Sequence, residues 1–172
     1  MKETLQDLKE RRSCRSYEKA QIRDEELDAV LEAGMYAPTG RGLQSPIMVV
    51  VQDPETIKML SKMNAKVLGN ENIDPFFGAP TIVIVLADKT INTYREDGSL
   101  VMGNLMNAAH AIGLGSCWIH RAREVFDTEE GREMLRKWGV SDNYEGIGNC
   151  LLGYAHELAP LKPRKENYVI RV

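Results

Sequence analysis

The 172-residue chain is predicted to be a layered domain of the α+β (α/β) class. Three observations lead there. Two apolar, β-branched runs, Ile47 to Val51 and Thr81 to Ala87, have the length of buried strands. Segments with helical spacing separate them, and no repeat, low-complexity tract or long linker interrupts the series. A hydrophobic content of 43% over this length suffices for a single core, so residues 1–172 are expected to form one domain.

Taken in order, Thr4 followed by Asp7 looks like a helix start, and Leu5 and Leu8 give a short apolar stripe that ends in the basic pair Arg11 and Arg12. Asp24 is placed to cap a second helix with Leu27, Val30 and Leu31 on one face, closed near Pro38. Thr39 to Pro46 is a polar, glycine-bearing loop, and the Ile47 to Val51 strand follows it. Asp53-Pro54 opens a third helix, with Asp as cap and Pro in the first turn. A loose segment, Gly69 to Gly78, precedes the Thr81 to Ala87 strand, which is expected to be buried on both faces. Ser99 to Ile112 has helical spacing but is apolar almost all round, as suits a helix at the centre of an assembly. After Gly113-Leu114-Gly115 come a short strand at Cys117 to Ile119, a helix from Thr128 to Trp138 and a strand from Gly148 to Tyr154. The tail from His156 is rich in Pro, Lys and Arg and ends in the strand-like Tyr168 to Val172, which must fold back or pair with another chain.

Composition removes several function classes. A net charge of −3 gives no general attraction for nucleic acid or anionic membranes, so any bound phosphate must be held locally. The longest apolar run is far short of the ~20 residues that span a bilayer, and a soluble, cytoplasmic protein is expected. Cys14, Cys117 and Cys150 are odd in number and widely spaced, which suits reduced thiols better than disulfides. With His110, His120 and His156 they form no metal-ligand spacing, so no metal is expected. Neither a Walker loop nor a G-x-G-x-x-G turn behind a strand is present, which argues against a Rossmann dehydrogenase.

Arg11, Arg12, Ser13 and Arg15 gather guanidinium and hydroxyl donors suited to phosphate oxygens within five positions. Lys162 and Arg164 repeat the theme in the tail. By themselves such runs are more often the solvated end of a helix or a solvated tail. Pro38, Thr39, Gly40, Arg41 and Gln44 lie in a loop whose glycines admit a planar ligand to the main chain, and a plain turn explains it as well.

Five ordered segments join these pieces: E-R-R-S-C-R-S-Y at Glu10 to Tyr17, A-P-T-G-R-G-L-Q-S-P at Ala37 to Pro46, F-F-G-A-P-T-I-V-I-V at Phe76 to Val85, N-L-M-N-A-A-H-A-I-G-L-G-S-C-W-I at Asn104 to Ile119, and L-L-G-Y-A with P-L-K-P-R-K between Leu151 and Lys165. In this order and spacing the chain resembles the nitroreductase family over nearly its whole length. The resemblance implies a central, mainly antiparallel sheet flanked by helices, a homodimer, and a C-terminal strand exchanged to the partner subunit. It implies FMN as cofactor, with Arg11, Arg12, Ser13, Arg15, Lys162 and Arg164 at its phosphate and ribityl chain. Pro38, Thr39, Gly40 and Gln44 match a loop that reaches the flavin from the other subunit, although the chain departs from the common pattern at Gly42 and at Ser45-Pro46. Cys117, Trp118, Ile119 and His120 match the stretch along one face and edge of the flavin ring, where a backbone N–H can bond flavin N5. Asn64, Lys66 and Asn72 are further candidates for its edge, and packing alone also explains Trp118 and Cys117.

The activity so implied is hydride transfer from NAD(P)H to a small acceptor, such as a nitroaromatic or quinone, in ping-pong turnover. The flavin is the reactive centre and no side chain is expected to be catalytic. The alternatives are a flavoprotein of the same fold with other chemistry, dehalogenation or flavin fragmentation, and a flavin-binding protein without catalysis.

Overall fold

The Thr81 to Asp88 run, β2, is the spine of the sheet, and its side chains from Ile82 to Ala87 are all 0% exposed. The structure, a computed structural model, describes residues 3–172. β1 (Pro46–Val51) and β4 (Tyr144–Gly153) pair with β2 on either side, and β3 (Gly115–Ile119) pairs with β4, giving the order β1-β2-β4-β3 with every pairing antiparallel. Alternation along β2 divides the core in two. Val83, Val85 and Ala87 pack toward α2 (Asp24–Met35) and α4 (Tyr94–Ala111). Ile82, Ile84 and Leu86 pack toward α3 (Pro54–Val67), α5 (Ala122–Asp127) and α6 (Glu129–Lys137). The result is a helix–sheet–helix layering, with α1 (Glu3–Glu10) outside it and burying none of its residues.

Several boundaries differ from the sequence expectation, each for a local reason. Helix α2 is entered at Arg23 rather than capped by the Asp24 side chain: the Arg23 amide donates to Glu26 Oε2 at 3.0 Å and its guanidinium pairs with the same carboxylate at 2.8 Å. Helix α4 begins at Tyr94, five residues before the expected Ser99. Gly98, which looks like a helix breaker, is there because a Cβ would stand 2.6 Å from Ile147. Strand β4 starts at Tyr144 instead of Gly148, its glycines accommodating close neighbours: a Cβ at Gly146 would meet the Ala122 carbonyl oxygen at 2.4 Å, and one at Gly148 the Trp118 indole at 2.4 Å. Helix α5 was not expected at all, and α6 follows it, capped by Thr128, which accepts from the Gly131 amide at 3.0 Å.

Tyr168 to Val172 forms no strand within the chain and is fully exposed, so it does not fold back onto the sheet.

Candidate functional site

After α1 the chain leaves helical geometry and runs beside the first residues of β3. Ser13 bridges Ser116 in parallel and the Cys14 amide donates to the Ser116 carbonyl at 2.8 Å. This places Arg11, Arg12, Ser13 and Arg15 along the sheet edge that β3 forms. Arg12 Nη1 donates to the Glu10 carbonyl at 2.7 Å, but Arg12 Nε and Arg11 Nη1 are buried without a partner. Ion pairs occupy Arg23, Arg95, Arg121, Arg123, Arg132 and Arg136, whereas Arg11, Arg12 and Arg15 form none among the described residues. A buried guanidinium nitrogen left unsatisfied is costly, and an anion supplied from outside the chain removes that cost.

The same region holds the three thiols, all free and buried. Burial pushes the Cys117 thiol above its ordinary value against the opposing pull of Arg15, a hydrogen bond to Ser13 and the charge of Arg11. Burial likewise pushes Cys150 up to about 12 and raises Tyr17, whose hydroxyl donates to the Cys14 carbonyl at 3.1 Å. Burial of this kind suits Cys117 and Cys150 to packing.

Downstream on β3, Trp118 covers Gly148 and its Nε1 is buried with no partner. Ile119 offers its carbonyl to Asn149 Nδ2 at 3.4 Å, and His120 is exposed. Arg121 follows with φ 80°, a left-handed conformation unusual for a side chain larger than glycine, and begins α5. Of the further edge candidates, Asn64 is completely buried, bonded to the Leu60 carbonyl at 2.9 Å and to Asn149 at 3.4 Å, while Lys66 and Asn72 are exposed.

The Pro38 to Gln44 loop lies beside β1, at the opposite edge of the sheet, so the single chain does not bring it to Arg11. Its organiser is a residue that sequence reasoning missed. Asp97, 2% exposed in the first turn of α4, accepts from the Gly40 amide at 2.8 Å, the Ser45 hydroxyl at 2.8 Å and the Thr93 hydroxyl at 3.1 Å. Thr39 Oγ1 accepts from the Gln44 amide at 3.1 Å, closing the loop on itself. Gly40 has no room for a side chain, since a Cβ would lie 2.3 Å from Thr93 Oγ1. Pro38 and Gln44 are exposed.

The tail departs beside the basic segment, where the His156 amide donates to the Ser16 carbonyl at 2.9 Å. Lys162 and Arg164 beyond it are exposed, Arg164 donating only to the Lys162 carbonyl at 2.8 Å, and neither is drawn to Arg11 within the chain.

Residues 8–154, which include β3, the basic segment and the Asp97-bound loop, match the model of the nitroreductase family. The chain belongs to the nitroreductase family. Among similar proteins, an NADH dehydrogenase/NAD(P)H nitroreductase of Archaeoglobus fulgidus is 31% identical, over 90% of this chain and 86% of its own. The FMN reductase [NAD(P)H] of Bacillus subtilis is 26% identical, over 95% and 70% respectively. A nitroreductase from Bacteroides fragilis, solved with bound FMN, superposes with a TM-score of 0.93 at 28% identity, covering 100% of both chains. The chain therefore shares its helices and antiparallel sheet with the FMN-bound relative, as the resemblance implied. Among its described residues no helix is long and apolar enough to cross a membrane.

Proposed function

We propose that this protein is an FMN-dependent oxidoreductase that takes hydride from NAD(P)H and passes electrons to a small acceptor such as a nitroaromatic or a quinone, with residues 1–172 acting as one FMN-binding domain in a homodimer. The observation that carries the reading is the row of guanidinium groups at Arg11, Arg12 and Arg15, with buried nitrogens lacking partners on the first two. That donor set fits a terminal phosphate dianion, which accepts charge-assisted hydrogen bonds in the planar arrangement that guanidinium groups offer.

When bound, FMN supplies the redox chemistry, accepting hydride from the nicotinamide and delivering it to the acceptor in a second half-reaction at the same site. The chain supplies binding and orientation. Arg11, Arg12 and Ser13 would hold the phosphate end, with Lys162 and Arg164 joining them once the tail is seated. Arg15, exposed at the end of the same segment, would reach the phosphate and ribityl chain from the outside. Trp118 to His120 would border the ring from the end of β3, and the Pro38 to Gln44 loop, fixed by Asp97, would reach it from the partner subunit. No acid–base pair is required of the protein, because the flavin is the reactive centre.

The test is direct. The purified protein should be yellow, release FMN on denaturation, and lose its oxidised-flavin absorbance when NADH or NADPH is added anaerobically. FAD in place of FMN would overturn the cofactor assignment, and flavin that neither nicotinamide reduces would overturn the oxidoreductase.

A further inference from the structure

Where β3 ends, a cavity of about 220 Å³ opens between the first turns of α4 and α5, with Arg95, Trp118, His120, Arg123, Glu124 and Glu145 in its wall. An empty site of ~150 Å³ accommodates one benzene ring, and drug-sized ligands need ~300 Å³ or more. The space therefore suits one aromatic ring with a small substituent and is too small for a dinucleotide.

The charges around it are unequally committed. Glu145, with only 11% of its side chain exposed, accepts through Oε1 from Tyr94 Oη at 3.1 Å and Arg95 Nε at 3.0 Å. Arg95 is further engaged over the Tyr94 ring, 5.1 Å from its centroid. Arg123 has only a distant partner, its Nε lying 3.7 Å from Glu145 Oε2, beyond ordinary hydrogen-bond length, and 53% of its side chain is exposed. Glu124 pairs through Oε1 with Arg121 at 2.7 Å, while its Oε2 is buried without a partner, and His120 adds no negative charge. The wall itself thus carries two guanidinium groups, of Arg95 and Arg123, and two carboxylates, of Glu124 and Glu145, with Arg121 offsetting Glu124 from outside it, and the fork of Arg123 is the one most loosely held. Trp118 contributes an aromatic surface and a buried Nε1 with no partner.

We propose that this cavity is the anion-reading end of the acceptor site, and that Arg123 selects monocyclic aromatic acceptors bearing a carboxylate. The inference rests on the flavin reading above, because Trp118 and His120 are the residues through which the cavity adjoins the ring. A planar carboxylate matches the free guanidinium fork in two parallel hydrogen bonds, and the unpaired positive charge favours it over an uncharged amide of the same shape.

Two measurements on the FMN-loaded dimer test this. The first is the ratio of kcat/KM for 4-nitrobenzoate to that for 4-nitrobenzamide with NAD(P)H as donor. The intact protein should favour the benzoate, and Arg123→Ala should lower the ratio by about tenfold or more, the weight of a hydrogen bond to a charged group. The second is calorimetric titration with benzoate, which needs no turnover and should show affinity falling by a similar factor in Arg123→Ala. Should that variant not yield folded, flavin-loaded protein, Arg123→Gln, which retains most of the alkyl stem, carries the same comparison. An unchanged ratio together with active turnover sinks the inference and leaves the oxidoreductase standing. Loss of benzoate binding in a protein that reduces neither acceptor leaves Arg123 a carboxylate-binding residue only, and overturns both its part in acceptor selection and the oxidoreductase.

Discussion

Arg11 and Arg15 are four positions apart and similar in chemistry, yet the fold treats them differently. Arg11 is half-buried with an unsatisfied Nη1, while Arg15 is exposed. Under the FMN reading the two should not contribute equally. Arg11→Ala should weaken FMN binding by about 1.5–3 kcal/mol, the range for hydrogen bonds to charged groups. Arg15→Ala should cost about 1 kcal/mol or less, in the range of exposed charge pairs. Fluorescence titration of the apoprotein with FMN at moderate salt measures both, and an equal or reversed order would contradict the burial argument. The basic segment was legible in the sequence because its composition is unusual over five positions. Asp97 was not, since an acidic residue after Glu96 in the first turn of a helix looks like any solvated start. Only the fold shows that it faces inward and binds Gly40, Ser45 and Thr93.

At the level of elements, the N-terminus of α2 is tied to the end of β4 through one carboxylate. Glu26 is held down to about 2 from an ordinary 4.5, first by its hydrogen bond from Arg23 and then by that from Tyr154 Oη at 2.7 Å. A carboxylate depressed on folding adds stability that is full above pH 4.5 and disappears as pH falls toward 2. Arg23 is largely exposed, so solvent and salt reduce the size of the effect. The thermal midpoint of the intact protein should fall more steeply across this window than that of Glu26→Gln; parallel curves would show that the connection contributes nothing. Elements were legible where periodicity was strong, as in β2 and the middle of α4. They were hidden where glycines permit close approach, as at Gly98, Gly146 and Gly148, because a glycine that admits a neighbour looks the same in sequence as one that breaks an element. Helix α5 was hidden for another reason: six residues are too few to establish a period.

For the whole molecule, two features remain incomplete in one chain. β1 pairs only with β2, so its outer edge is open, and the nearby surface exposes Met35, Tyr36, Leu43, Val50 and Leu100. A groove of about 450 Å³ beside this edge is lined by Leu31, Met35, Ile47, Met48 and Val101. Tyr168 to Val172 is meanwhile exposed and unpaired. An open strand edge and an unattached strand-like tail suit one another, and exchange between two copies lets each satisfy the other. The placement of the Pro38 to Gln44 loop and of Arg11 at opposite edges has the same resolution, since each flavin site then draws on both subunits. Deleting residues from Glu166 onward should therefore weaken the dimer and also raise the rate of FMN loss, because Lys162 and Arg164 would no longer be held near the basic segment. Sedimentation velocity and flavin release can be followed on the same preparation. A deletion that lost FMN while remaining a tight dimer would assign the tail to the cofactor alone. A stable, flavin-loaded monomer of the intact chain would remove the dimer itself, since the loop contacts proposed for the site would then have no source.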